Sequence, residues 1–458
     1  MTKARLQLCQ VIVKMEEMVI LGAGLSGLSA AYHLEPIKCE IFEKNNTVGG
    51  HIFSENRDGV IWDQGPHVSF TKNDYVKGLF AKSVNDDYQE FPVETASFFK
   101  GNWIPHPAQS NLYAVPQPYR DQCLKDFIES RNSEHSIENY KDWLIAAFGK
   151  SFYEYFPKAY TQKYWTIDPE LLTTDWVGER VFYPSVDDVK AGYNSPLLNQ
   201  THYIKSVRYP LFGGYSSYKA IFEERAKINT NHELESVSFE NRTLKFKNGL
   251  IKNYSKLIST LPLPVLIGLS DAPLEVKNCA NQLLCSSVLL INILANHCTL
   301  MPYNWMYVYD LDKLSTRINC SEKLSPNNVP ENHTAIQVEI YYSKHRPLTN
   351  SIDEITQKVT DELIEMGLLR DKESVVDIHT KNIAWANVIF DHHRRKNLDV
   401  VFEYLESVGY QRHDQELLPM TDWDTFKGSN GVIQLAGRYA EWKYYWTDDC
   451  VLRGKSLI

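Results

Sequence analysis

Residues 18–34 of the chain read MVILGAGLSGLSAAYHL, and this stretch decides the fold. Four consecutive apolar residues, Met18–Leu21, have the character of a short buried strand, and residues 25–34 have the spacing of a helix. Residues 39–43, CEIFE, then form a second predicted strand. Strand, turn, helix and strand in this order predict a right-handed βαβ unit.

Three glycines shape the turn between the first strand and the helix. Gly22 allows a tight turn, Gly24 lets the backbone approach a pyrophosphate, and Gly27 lets the helix pack close to the strand. Free N–H groups and the helix dipole then attract phosphate groups. Glu43, at the end of the second strand, can accept hydrogen bonds from both ribose hydroxyls. The pattern predicts a dinucleotide site; the alternative is a glycine turn that holds no ligand.

A second glycine turn favours FAD over NAD, and a third is expected to contact the same cofactor. Val48-Gly49-Gly50 follows Glu43 closely, and a Gly-Gly pair at this offset lets the chain pass close to the pyrophosphate in many flavoproteins. Gly437-Arg438 lies at the predicted start of a late helix, where it would present a second helix N-terminus to the same cofactor. We therefore expect bound FAD.

Composition and charge exclude several classes of function. The chain has 458 residues, which predicts two or three domains, and its net charge of −9 argues against a nucleic-acid-binding protein. The basic cluster at residues 392–396 is short, and we expect it on a solvated loop or helix face. Eight scattered cysteines without a C-x-x-C pair indicate no metal site. They fit a reducing cytosol, so we expect a cytoplasmic protein.

No segment has the features of a membrane span. The uncharged run at residues 18–34 approaches the required length, but its glycines belong to the turn pattern. The first apolar stretch of the chain is short and interrupted by charges, unlike a signal peptide. We expect no integral membrane association, and the sequence is compatible with a homo-oligomer.

Changes of periodicity divide the rest of the chain. Residues from roughly 120 to 205 are aromatic and helical in spacing, which predicts a helical insertion. Strand-like runs at residues 288–293, 305–309 and 335–342 predict an antiparallel sheet, and residues 352–366 have a helical pattern. The expected divisions are an extension (1–17), an FAD-binding domain (18–90, 206–265 and 430–458), a mostly helical substrate domain (91–205) and a sheet domain with flanking helices (266–429).

Further motifs lie along the chain. They are Gly65-Pro66-His67-Val68, Ile104–Leu112, Tyr160–Trp165, Trp176–Val181, Tyr209–Gly214, Trp305–Tyr307 with Arg317 and Ser325–Asn327, and Gly437–Tyr444. Together they resemble the motifs of the UDP-galactopyranose mutases, especially the eukaryotic-type branch, within the flavin amine-oxidase and protoporphyrinogen-oxidase-like superfamily. The resemblance runs from about residue 18 to residue 450. It implies an α/β fold with a Rossmann-like FAD-binding domain of the GR2 type, a helical insertion and an antiparallel-sheet substrate domain.

The chain departs from the family pattern in three places. His106 stands where the family has a Tyr, and Asn387 stands where a second Tyr is expected. Residues 410–430 look like an insertion. The two substitutions affect positions that contact the nucleotide and the sugar, so the resemblance identifies neither the nucleotide nor the sugar.

The resemblance implies a role for each motif residue. His67, Arg180 and Arg317 are expected at the reacting centre, with the two arginines on the substrate diphosphate. The residues expected to bind the cofactor are Gly22, Gly24, Ser26, Gly27, Glu43, Lys44, Gly49, Gly50, Gly65, Gly437, Arg438 and Asp448. Those expected to bind the substrate are His106, Gln109, Tyr164, Trp165, Tyr307, Asn387 and Tyr444.

The implied activity is that of an FAD-dependent mutase that interconverts pyranose and furanose forms of a nucleotide sugar, with a UDP-sugar as the expected substrate. Reduced flavin would act through N5 as a covalent catalyst, without net redox change, and NAD(P)H is the expected reductant. Arginine suits this substrate because its planar donors match phosphate oxygens. The alternatives are an FAD-dependent oxidoreductase of the amine-oxidase type, acting on a sugar or an amine, and a flavoprotein scaffold without catalysis.

Overall fold

The computed structural model describes residues 17–34, 39–178, 181, 183–196, 204–412 and 431–457. Its strands are β1 (Met18–Leu21), β2 (Cys39–Phe42), β3 (Ser54–Arg57), β4 (Val60–Asp63), β5 (Tyr88–Pro92), β6 (Thr95–Phe99), β7 (Asn102–Pro105), β8 (Ser206–Pro210), β9 (Lys227–Asn229), β10 (Leu234–Ser238), β11 (Thr243–Phe246), β12 (Ile251–Asn253), β13 (Lys256–Ser259), β14 (Ser287–Ala295), β15 (Trp305–Val308), β16 (Arg317–Cys320), β17 (Thr334–Tyr342), β18 (Val375–Ile383) and β19 (Ile433–Leu435). Its helices are α1 (Leu25–His33), α2 (Asp74–Ser83), α3 (Tyr119–Arg131), α4 (Tyr140–Phe148), α5 (Lys150–Tyr155), α6 (Pro157–Tyr164), α7 (Val186–Asn194), α8 (Ala220–Glu223), α9 (Leu263–Gly268), α10 (Leu274–Asn281), α11 (Ile352–Glu365), α12 (Arg394–Ser407) and α13 (Thr447–Lys455).

A parallel sheet is built around the predicted βαβ unit. Its strand order is β19-β13-β1-β2-β9, and each neighbouring pair is parallel. All four residues of β1 are buried. A strand covered on both faces has a continuous apolar sequence, which explains the clear signal of Met18–Leu21. The predicted α/β fold with a Rossmann-like domain is confirmed.

Small residues allow α13 to pack directly against α1. A Cβ on Gly454 would lie 2.6 Å from the Cβ of Ser29 and 2.7 Å from the backbone nitrogen of Ala30. The hydroxyl of Ser29 donates to the carbonyl of Val451 at 2.6 Å. The last helix therefore holds in place the helix that follows the glycine turn.

A buried ion pair joins α13 to the segment after β19. Arg453 Nε lies 3.0 Å from both carboxylate oxygens of Glu441, and the two side chains are 1% and 2% exposed. Arg453 Nη2 also donates to the carbonyl of Leu435 at 3.0 Å, and the N–H of Gly437 donates to Glu441 Oε2 at 3.1 Å. The pair thereby fixes the end of β19 and the turn at Gly437.

The second large sheet has the order β18-β14-β17-β16-β15-β6-β7, and its neighbours are antiparallel except for β15 and β6. The predicted antiparallel sheet is thus confirmed. β6 and β7 join it from the segment predicted as mostly helical.

The two faces of this sheet differ because side chains alternate along each strand. One face packs against α11 through apolar residues, which include Leu289, Ile291, Ile318, Ile336, Val338, Ile355, Val359 and Leu363. The alternate positions carry Tyr307 on β15, Arg317 on β16, and Glu339 and Tyr341 on β17. A single register therefore gathers these four polar side chains on one face.

The predicted helical insertion comprises α3 to α7, and its aromatic core includes Phe127, Phe148, Phe152 and Phe156. Lys163 on α6 is fully buried, and its Nζ donates to the carbonyls of Val308 at 2.9 Å and Asp310 at 3.1 Å. Burial lowers the pKa of Lys163 to about 7. This side chain ties α6 to the end of β15.

One sequence-based expectation holds only in part, and another is wrong. In the cluster at residues 392–396, four residues are exposed as expected, but Arg394 is 2% exposed, donates to the carbonyl of Trp442 at 3.2 Å and lies 4.1 Å from the Phe390 ring centre. Gly437-Arg438 does not start a helix. Gly437 and Trp442 have positive φ angles of 106° and 54°, which interrupt a helix, and α13 begins at Thr447.

Two predicted segments fall largely outside the described residues: the extension, of which residues 1–16 are not described, and residues 413–430 of the insertion. Within the part of the chain that the structure describes, no helix is both long and apolar enough to cross a membrane.

We predict that Arg453→Ala lowers the free energy of unfolding by about 3–5 kcal/mol, because it leaves the carboxylate of Glu441 buried without its cation. Urea titration followed by circular dichroism measures this change. Lys247→Ala is the control, since its pair with Glu233 is 60% and 51% exposed, and about 1 kcal/mol or less is expected there. Equal effects of the two substitutions would contradict the structural role of the buried pair.

Candidate functional site

A cavity of about 940 Å³ is lined by residues of both large sheets and of the helical insertion. This volume lies in the usual range for cofactor and ligand sites, roughly 300–1,000 Å³. The predicted site residues in its wall are Gly22, Gly24, Ser26, Glu43, Lys44, Gly49, Gly50, His67, His106, Gln109, Tyr164, Trp165, Tyr307, Arg317, Asn387, Gly437, Arg438 and Tyr444. The structure therefore brings together residues from most of the chain.

The glycine turn between β1 and α1 forms one end of the cavity. Gly22 has a φ of 94°, and a Cβ on Gly27 would lie 2.1 Å from the carbonyl oxygen of Gly22. Gly27 is thus a packing position and does not line the cavity. Gly24 differs, because no atom lies within 4 Å of the place that its Cβ would occupy. The space in front of Gly24 is open.

Two other glycine turns meet this one. The N–H of Gly49 donates to the carbonyl of Ala23 at 2.8 Å, and a Cβ on Gly50 would lie 3.1 Å from the Cα of Gly24. A Cβ on Gly437 would lie 2.6 Å from the hydroxyl of Ser26. This end of the cavity is therefore made largely of backbone.

The buried carboxylate of Glu43 is already partly bound. Its Oε2 accepts from the N–H of Ala23 at 2.9 Å, and its Oε1 accepts from the backbone N–H and the amide of Asn45, both at 2.9 Å. A carboxylate has about four acceptor positions, so about one remains for a ribose hydroxyl.

This end of the cavity fits the pyrophosphate of a dinucleotide. Gly24 caps α1 without a side-chain hydrogen bond, so the first N–H groups of this nine-residue helix have no side-chain acceptor from the cap. Lys44 and Arg438 add positive charge to the same wall. These features are what a phosphate group requires.

Two histidines line the middle of the cavity. Burial lowers the pKa of His51 to about 3 and that of His67 to about 4, so both are neutral at neutral pH. His67 Nδ1 lies 2.9 Å from the carbonyl oxygen of Gly65 and donates to it, which leaves Nε2 as an acceptor. The ring of His51 lies 5.0 Å from that of Tyr439.

Arg317 and Glu339 form an ion pair in the opposite wall. Arg317 Nη2 donates to Glu339 Oε1 at 2.8 Å, and Nε donates to Oε2. Nη2 also lies 3.4 Å from the hydroxyl of Tyr341. Gly65 does not line the cavity; with a φ of 87° it leaves room for Glu339, because its Cβ would lie 2.5 Å from Oε1.

Aromatic rings complete this end of the cavity. The ring of His106 lies 4.6 Å from that of Tyr307, whose hydroxyl accepts from Trp305 Nε1 at 2.9 Å. Further close ring pairs are Tyr164 with Tyr341 at 4.7 Å and Trp165 with Tyr444 at 5.4 Å. Flat apolar faces with hydroxyl groups at their edges suit a sugar or a base.

Arg438 connects the two ends of the cavity. Its Nη2 donates to Asn387 Oδ1 at 2.8 Å, and its guanidinium carbon lies 4.6 Å from the centre of the Tyr444 ring. Asn387, expected to contact the substrate, is 3% exposed and orients this arginine.

Asp448 is buried in the first turn of α13 and does not line the cavity, and burial raises its pKa to about 6. Arg180 lies outside the described residues.

Sequence reasoning missed many wall residues, among them His51, Glu339, Tyr341 and Lys381. The sequence does contain a signal for Glu339. It is the one charged residue of the nine-residue strand β17. His51 directly follows the Gly49-Gly50 pair that was recognised.

Comparisons with known proteins agree with this architecture. A family model described as an NAD(P)-binding Rossmann-like domain matches residues 20–83. Protoporphyrinogen oxidase 2 of Arabidopsis thaliana is 32% identical over 176 residues, which cover 34% of this chain and 34% of that protein. A Klebsiella pneumoniae protein named "Probable UDP-galactopyranose mutase" is 25% identical over 168 residues, which cover 34% of this chain and 43% of that protein. The matches thus span less than half the length of these relatives.

Solved structures match over nearly the whole chain. Putrescine oxidase bound to putrescine has a TM-score of 0.60 at 12% identity, covering 96% of this chain and 97% of that one. Reduced UDP-galactopyranose mutase has a TM-score of 0.85 at 24% identity, covering 96% of this chain and 92% of that one. The chain therefore has the fold of UDP-galactopyranose mutase, and the resemblance predicted from its motifs is confirmed at the level of the fold.

Proposed function

We propose that this protein is an FAD-dependent nucleotide-sugar mutase that interconverts the pyranose and furanose forms of a UDP-sugar. The observation that carries the proposal is one continuous cavity that extends from the glycine turn at Gly24 to the wall formed by Tyr307, Arg317 and Tyr444. One end suits a dinucleotide, and the other offers a cation, hydroxyl groups and aromatic faces. A nucleotide sugar needs all three.

FAD is the cofactor that we propose for the glycine-rich end. Gly24, Gly49 and the start of α1 would bind its pyrophosphate, and Glu43 would accept a ribose hydroxyl. When bound in its reduced form, FAD supplies a nucleophile for covalent catalysis without net redox change. We propose NAD(P)H as the reductant.

The diphosphate of the substrate is the group that Arg317 would bind. Its free edge can donate to phosphate oxygens while Glu339 holds the other edge. Tyr307 and Tyr444 would add hydroxyl donors, and Arg180 is proposed for the same group from its motif. Together they stabilise the charge that develops on the departing diphosphate.

His67 would act without gaining or losing a proton. It stays neutral at neutral pH because burial holds its pKa near 4, and its Nε2 is an acceptor. We propose that it orients the sugar or the cofactor at the boundary between the two ends of the cavity. The aromatic walls would exclude water from this boundary.

A second candidate is an amine-oxidase-type oxidoreductase, which the shared fold of putrescine oxidase favours. The two functions differ in electron balance. A mutase returns the cofactor unchanged after each turnover, whereas an oxidase passes two electrons to an acceptor.

The proposed activity predicts a ring-contracted product when the dithionite-reduced protein is incubated with UDP-galactopyranose or a related nucleotide sugar. Chromatography with NMR identifies the product, and dithionite consumption should not scale with turnover. Consumption of oxygen in proportion to substrate would favour the oxidoreductase instead. Purified protein without bound flavin would contradict both functions.

We expect Gly24→Val to weaken FAD binding by about tenfold or more, because a side chain there would displace hydrogen bonds to a charged phosphate. The fold should be unaffected, since Gly24 has a φ of −74° and open space around its Cβ. Flavin absorbance per protein chain measures the loss. Gly78→Val is the matched control, because this helical glycine also has open space. Equal flavin content in both variants would argue against a cofactor at the turn.

Arg317→Lys should keep the charge next to Glu339 but lose the planar donor fork. We expect the affinity for UDP to fall by about tenfold, with bound flavin unchanged. Calorimetric titration of the reduced protein measures this. Arg57→Lys is the control, since Arg57 forms a half-exposed pair with Asp377. An unaltered UDP affinity in Arg317→Lys would remove Arg317 from the diphosphate site.

A further inference from the structure

Glu339 lies in the cavity wall between Arg317 and the segment that carries His67. Its side chain is nearly fully buried, and Gly65 leaves the space that its Oε1 occupies. Both contacts with Arg317 come from the same edge of the guanidinium. The carboxylate is therefore fixed in position and borders the cavity.

The charges around this carboxylate limit what it can bind. The groups that act electrostatically on His67 are Arg317, Glu339 and Arg438, while His67 itself is neutral because burial holds its pKa near 4. Burial also raises the pKa of Tyr307 and Tyr341, so both are neutral hydroxyl groups. Arg317 and Glu339 thus form a unit without net charge.

A unit of this kind favours neutral donors. The bidentate contact uses about two of the four acceptor positions of the carboxylate, and the hydroxyl of Tyr341 hydrogen-bonds to a third, so about one is left for a ligand. An anionic group there would be repelled by Glu339. A cationic group would meet a carboxylate whose charge Arg317 already balances. A neutral hydroxyl group can donate to the remaining acceptor position without repulsion and without a charge that needs balancing.

We propose that Glu339 is a specificity-determining residue, whose carboxylate accepts a hydrogen bond from a hydroxyl group of a neutral sugar and excludes sugars that carry a carboxylate. This inference rests on the nucleotide-sugar function proposed above. It assigns the sugar to the Glu339 side of the pair and the diphosphate to the Arg317 side.

The test compares three ligands by titration of the reduced, flavin-loaded protein: UDP, UDP-galactose and UDP-galacturonate. In the wild type, UDP-galactose should bind more tightly than UDP-galacturonate. In Glu339→Gln, the ratio of the affinity for UDP-galactose to the affinity for UDP should fall by about tenfold. This is the loss expected for a hydrogen bond to a charged group. UDP itself should bind as well or better, because a negative charge has been removed, and the discrimination against UDP-galacturonate should shrink.

A merely structural role gives a different pattern. If Glu339 only held Arg317 in place, Glu339→Gln would weaken UDP and UDP-galactose by the same factor, and the proposal would be overturned. Glu339→Asp is the second variant: it keeps the charge but withdraws the carboxylate by one methylene, so the contribution of the sugar should fall while UDP binding is little changed. The proposal would also be overturned if both variants left the ratio of UDP-galactose affinity to UDP affinity unchanged.

Glu322→Gln is the matched control. Glu322 is a carboxylate in the same region of the fold that binds the hydroxyl of Thr334 and, at 3.1 Å, the N–H of Ala335, away from the cavity wall. It should leave all three affinities unchanged. A wild type that binds none of the three ligands would instead overturn the proposed function, so the two failures are distinguishable.

Discussion

The close meeting of three glycine turns is the constraint on which the cavity depends. Gly50 packs against the backbone of Gly24, and Gly437 packs against the side chain of Ser26, so a side chain at Gly50 or Gly437 would crowd the neighbouring segment. The central strand β1 and the packing of α13 on α1 hold this arrangement. One end of the cavity is consequently made largely of peptide groups, which are chemically suited to phosphate.

The opposite wall depends on a different rule, the alternation of side chains along β15, β16 and β17. The register that buries Ile318 and Val338 against α11 also directs Arg317 and Glu339 to the other face. Among the described residues, the positive charge of Arg317 is balanced by a carboxylate, whereas Arg438 contacts a neutral amide and an aromatic ring. The two arginines of the cavity wall therefore differ, because a carboxylate balances the charge of Arg317 and an uncharged amide contacts Arg438.

The sequence predicted local features well and distant pairings poorly. The βαβ unit was predictable because each of its elements has a complete local signal, from the apolar run at Met18 to the glycines of the turn. The antiparallel sheet was predictable from period-two runs, but the pairing of Arg317 with Glu339 was not, because it depends on a register between strands. The burial of Arg394 within an otherwise exposed cluster was not predictable for the same reason: a run of charged residues shows no sign of the Trp442 carbonyl that accepts its hydrogen bond. Gly65 and Asp448 were recognised through the resemblance, yet neither lines the cavity.

The position of β19 within the parallel sheet has a consequence for how the chain folds. β1 pairs with β13, and β13 pairs with β19, so strands that begin at Met18 and Ile433 belong to one sheet. Pairings between such distant segments are entropically costly and slow to form. During synthesis, the first strand must wait for nearly the whole described chain before its sheet and the helix that covers α1 can be completed. Until then the face of α1 that α13 covers stays exposed, and such transient exposure favours aggregation.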